Sequence, residues 1–72
     1  MEKYYQLRKN EYFLSDIIVE DGKLVNFAVD TVFRKIYADN ELAHLDQRLI
    51  FIETGLNFDV ELFREEEKYY ED

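Results

Sequence analysis

His44 is the first side chain to test for chemistry. It is the sole histidine among 72 residues, and the chain has no cysteine. Acid–base or metal work recruits partners around such a residue, normally further His, Cys or carboxylates at a defined spacing. His44 instead sits early in an amphipathic stretch, off its apolar stripe, as a solvated surface residue would. Ser15 has no His or Lys at a motif spacing. Neither glycine, Gly22 or Gly55, belongs to a phosphate-cradling pattern, and "DGKLVNFAVD" lacks the ligand spacing of a calcium loop. Carboxylates are plentiful, but among 17 acids their adjacency carries little information. The expectation is a non-enzyme with no catalytic residue, no metal ligand and no cofactor.

Two other features point to binding. The first is "LIFI" at 49–52. Four consecutive apolar residues on a helix cannot all face one sheet. Ile50 and Phe51 are therefore candidates for a dimer contact, unless the chain itself covers them. The second is acidity. The formal charge is -8, and residues 55–72 carry -5 of it against +2 in residues 1–10. Asp59 and Glu61 alternate with apolar residues, and Glu65, Glu66, Glu67, Glu71 and Asp72 follow with Tyr69 and Tyr70 among them. Carboxylates pair with Arg and Lys, and tyrosines supply rigid contact area. Such a surface repels nucleic acid and anionic lipid and attracts proteins that bind them. The alternative is a solvated tail that keeps a small protein in solution.

The elements that must hold these groups can be read in outline. Seventy-two residues make one domain, here a body over 1–63 and an acidic tail over 64–72. Hydrophobic residues at 47% and aromatics at 17% suit a folded chain. No apolar run is long enough to span a membrane, and "MEKYYQLRKN" lacks a signal-peptide core. "FLSDIIVEDGKLVNFAV" predicts a hairpin about Asp21-Gly22. A three-residue loop Glu20-Asp21-Gly22 puts Phe13, Ile17, Val19, Val25 and Phe27 on one apolar face. "YYQLR" folds back before it through a turn near Lys9-Asn10-Glu11, adding Tyr5 and Leu7. Residues 31–38 suggest a short helix or turn capped by Asp30.

"DNELAHLDQRLIFIETG" predicts a helix capped by Asp39 or Asn40 and ended by Gly55. Leu42, Leu45, Leu49 and Ile52 fall within about 80° of one another and form its expected core stripe. Ile50 lies on the flank with Ala43. "GLNFDVELF" alternates and predicts a closing strand that buries Phe58, Val60 and Leu62. The tail then extends this strand, forms a short helix or frays. The fold class is α+β. A small antiparallel sheet, a three-strand meander plus the closing strand, carries one main helix on one face, in the order β-β-β-(short helix)-α-β.

In size, in composition and in "REEEKYYED", the chain resembles small acidic proteins encoded by bacteriophages, notably some anti-CRISPR proteins and other DNA-mimicking inhibitors. The hairpin-rich half before "NELAHLDQRL" and an alternating strand resembles a common phage pattern. The resemblance implies a cytoplasmic protein of the host cell that inhibits a basic nucleic-acid-binding protein, such as a nuclease or a CRISPR effector complex. Asp59, Glu61, Glu65, Glu66, Glu67, Tyr69, Tyr70, Glu71 and Asp72 would form the contact, with no direct binding of nucleic acid or membrane. The competing expectation is a small assembly module, a homodimer through 49–52.

Overall fold

Residues 3–63 are described by the structure, a computed structural model. Four strands and one helix follow in the order β1 (Tyr4–Lys9), β2 (Tyr12–Glu20), β3 (Lys23–Asp30), α1 (Asn40–Thr54) and β4 (Asp59–Phe63). The strands form one antiparallel sheet in the order β3-β2-β1-β4. The helix packs on β1, β4 and β3, so the α+β architecture expected from the sequence is the one observed.

The turn at Asn10 is tight: Lys9 pairs with Tyr12, and Asn10 takes φ 58°. The second turn corrects the sequence reading. Glu20 pairs with Lys23, so the loop is the two residues Asp21 and Gly22, with φ 54° and 74°. Both central residues left-handed is the type I′ geometry, whose twist matches that of the flanking strands. The apolar faces are then brought together by bulges. Val25 is an extra residue on β3 and Ser15 an extra residue on β2. Each bulge reverses which parity points inward. Ile17 and Phe27 stay on the helix side, joined by Leu14 and Leu24. Val19 and Val25 are exposed, and Phe13 lies against Arg34 outside the main core cluster.

Residues 31–38 form no helix. Asp30 does cap this segment, accepting bonds from the amides of Val32 and Phe33, both 2.8 Å. The chain then runs extended into a gap where β2 leaves β1. Lys35 N–H donates to the Leu14 carbonyl, and Tyr5 and Tyr37 exchange both backbone bonds, all 2.8 Å.

The helix begins and ends as its sequence dictates. The Asp39 carboxylate accepts the Glu41 amide at 2.9 Å, and Gly55 takes φ 82° while its N–H closes on the Phe51 carbonyl. Its rotation is the main departure from expectation. Ala43 and Ile50 are its fully buried residues, packed with Leu7, Leu14, Tyr37 and Phe58. The expected stripe of Leu42, Leu45 and Ile52 is exposed, and Leu49 is half-buried. Two polar clamps flank this buried face. The Tyr37 phenol donates to Asp46 at 2.5 Å, and Gln47 donates to Asn57 at 2.7 Å. At 100° per residue, Asp46 and Gln47 stand about 50° to either side of the Ala43–Ile50 line. On β4, Phe58 is buried and Val60 half-buried, while Leu62 is more open than expected.

Candidate interaction surface

The face of the sheet away from α1 carries the charged residues of β1 and β4. Alternation puts Gln6 and Arg8 there, opposite Glu61 and Asp59. The Gln6 amide donates to Glu61 at 2.7 Å, and Arg8 pairs with the same carboxylate at 3.3 Å. Arg34 lies over the Phe13 ring, 3.7 Å from its centre, and donates to the Gln6 carbonyl oxygen at 2.9 Å. Arg8 is also near that ring, at 5.9 Å. This layer explains why Gln6 is buried although it faces away from the helix: Arg34 covers it and satisfies it. Glu61, expected to meet a basic partner, is thus held within the chain, while Asp59 is exposed.

Glu65, Glu66, Glu67, Tyr69, Tyr70, Glu71 and Asp72 lie outside the described residues. Of the two residues expected at a dimer contact, Ile50 is corrected: it is fully buried in the core, because the flank it shares with Ala43 is the face the sheet receives. Phe51 is half exposed. His44 is exposed and borders a shallow hollow with Glu41, Leu45 and Arg48. Among the described residues no group of three or more His, Cys, Asp or Glu is placed to hold a metal ion.

What the rotation of α1 leaves outside is a line of large apolar side chains. Leu42 is 53% exposed, Leu45 52% and Ile52 67%, while Phe51, also half exposed, stands about 140° round the helix from this line. The centre of the Leu42-Leu45-Leu49-Ile52 stripe stands about 130° from the buried face. A second apolar group, Val32, Phe33 and Ile36, stands out on the loop held by Asp30 and lines an open depression with Arg34 and Phe63. The helix stripe was visible in the sequence, but as core. Its 3-4-3 spacing is that of a helix–helix seam, and this was the signal that could have identified it as a contact surface.

No protein-family model matches this chain, and no curated protein or solved structure matches it significantly. Among the described residues no helix is long and apolar enough to cross a membrane.

Proposed function

We propose that this protein acts by association and not by catalysis, as a small acidic binding module whose contact surface is the outer stripe of α1. One observation carries the reading: a helix with capped ends and two polar clamps holds Leu42, Leu45 and Ile52 out to solvent while smaller Ala43 faces the sheet. Scattered apolar residues are ordinary on a surface, whereas a continuous row along one helix marks a site of contact. A photo-crosslinking residue in place of Leu45 or Ile52 should give a discrete adduct in cells. The same residue in place of Ile18, exposed on the sheet, should not. Equal labelling from all three positions, or none from the helix, would sink this assignment.

Inhibition of a basic nucleic-acid-binding protein is the second reading. It is favoured by the exposed acids Asp16, Glu20 and Asp21 near the β2–β3 turn, and by Asp59 at the start of the strand that leads to 64–72. Replacing Glu65, Glu66, Glu67, Glu71 and Asp72 by Gln or Asn should then abolish competition with DNA for such a partner. Unchanged competition would count decisively against it.

A further inference from the structure

We infer that the occupant of the α1 stripe is a second copy of this chain, the two helices packing in parallel along Leu42, Leu45, Leu49 and Ile52. The inference rests on the reading of α1 as the contact surface.

Spacing is the first argument. Intervals of three, four and three place these residues at successive a and d positions of two heptads, the seam of a helix pair. A sheet takes a broader helical face, and in this chain that face is already supplied by Ala43 and Ile50 with half-buried Asp46 and Gln47 beside them. Shape is the second. A helix pair packs by inserting each side chain between four residues of the facing helix. On this stripe Leu42, Leu45 and Ile52 stand out as such knobs, each more than half exposed.

Charge selects the partner and the direction. With Leu42 and Leu49 at a, Arg48 falls at g and Glu53 at e. In a parallel pair g reaches the e position five residues later, so Arg48 of each copy meets Glu53 of the other. The remaining flank would set Glu41 against Asp46 of the second copy, but Asp46 is turned inward to the Tyr37 phenol. An antiparallel pair would bring the two Arg48 side chains together. A helix of 15 residues is about 22 Å long. One such pair lies below the usual size of a stable interface, so the dimer is a reversible one.

Sedimentation equilibrium of the full chain tests this. From low to high micromolar concentration the average mass should rise from 8.8 kDa toward twice that value. Leu45→Glu should hold the mass at the monomer value with an unchanged circular dichroism spectrum. Because the chain has no native cysteine, Leu42→Cys and Ile52→Cys should each, alone, oxidise to a linked dimer. Monomer mass throughout for the parent chain overturns the second-copy inference and leaves the α1 surface to be judged by the positional crosslinks. A dimer that survives Leu45→Glu overturns both. Linkage only between a Leu42→Cys copy and an Ile52→Cys copy overturns the parallel arrangement.

Discussion

Tyr37 does more to join this molecule than its place in an irregular segment suggests. Its backbone closes on Tyr5 of β1, and its phenol, on a buried side chain, donates to Asp46 of α1. Burial first, then the Asp46 hydrogen bond and charge, push the phenol well above the usual tyrosine range, so it stays a donor. Tyr37→Phe leaves the Asp46 oxygen short of a partner. The loss of a hydrogen bond to a charged group should cost about 1.5–3 kcal/mol in a urea titration. Asp30 gives a prediction in pH. Amides of Phe33 and then Val32 hold its carboxyl below its ordinary value of 3.8. A depressed folded value means stability that is present above pH 3.8 and lost as pH falls through the folded value. Acid titration of Asp30→Asn should lack that component and be flatter below pH 3.8. An unchanged slope would show that the two amides do not depend on the charge. At this scale the local features were legible: the Asp39 cap, the Gly55 stop and the Asp30 cap each act within four residues. Arg34 was not. Its position depends on Phe13, Gln6 and Phe63 sharing one face of the sheet, which only the folded register decides.

At the scale of elements, hydrophobic periodicity located every strand and the helix and the inward faces of β1 and β4, but misassigned the inward face over part of the β2–β3 hairpin and along α1. A hairpin's parity is set by its turn and every bulge after it. Ser15 and Val25 are unremarkable in sequence, yet each flips the face that follows. The helix shows the same limit differently. Four large aliphatics at 3-4-3 spacing outscore Ala43 and Ile50 on any count of apolar residues. The buried face is instead the one on which Ala43 and Ile50 pack against Leu7, Leu14 and Phe58, with Asp46 and Gln47 on its flanks bonded to Tyr37 and Asn57, groups outside the helix. A paired substitution separates the two rotations. Ile50→Ala, in the core, should cost about 2–5 kcal/mol by denaturant unfolding. Ile52→Ala, mostly exposed in the monomer, should cost within roughly 0.5 kcal/mol at concentrations where the chain is monomeric. If the larger loss falls at Ile52, the helix is turned the other way and the exposed stripe does not exist.

For the whole molecule the decisive property is charge, because it gives the two modes of association opposite responses to salt. Residues 3–63 carry eleven acidic and seven basic side chains, and the full chain is at -8. Two copies approaching through α1 therefore repel over distances longer than the seam itself. The attraction between them is mainly apolar, and the Arg48–Glu53 pairs contribute little at the rim. Raising ionic strength shortens the range of the repulsion, to about 8 Å at physiological salt, and leaves the apolar term in place. Self-association should consequently tighten as salt rises from low to physiological strength. An acidic surface docking on a basic nucleic-acid-binding protein responds in the other direction, since screening removes the attraction that drives it. Sedimentation equilibrium of the chain alone across a salt series measures the first response, and competition with DNA across the same series measures the second. A dimer that dissociates as salt rises would mean that charge pairs and not the leucine seam hold it, and the apolar seam as the source of affinity would fall with that result.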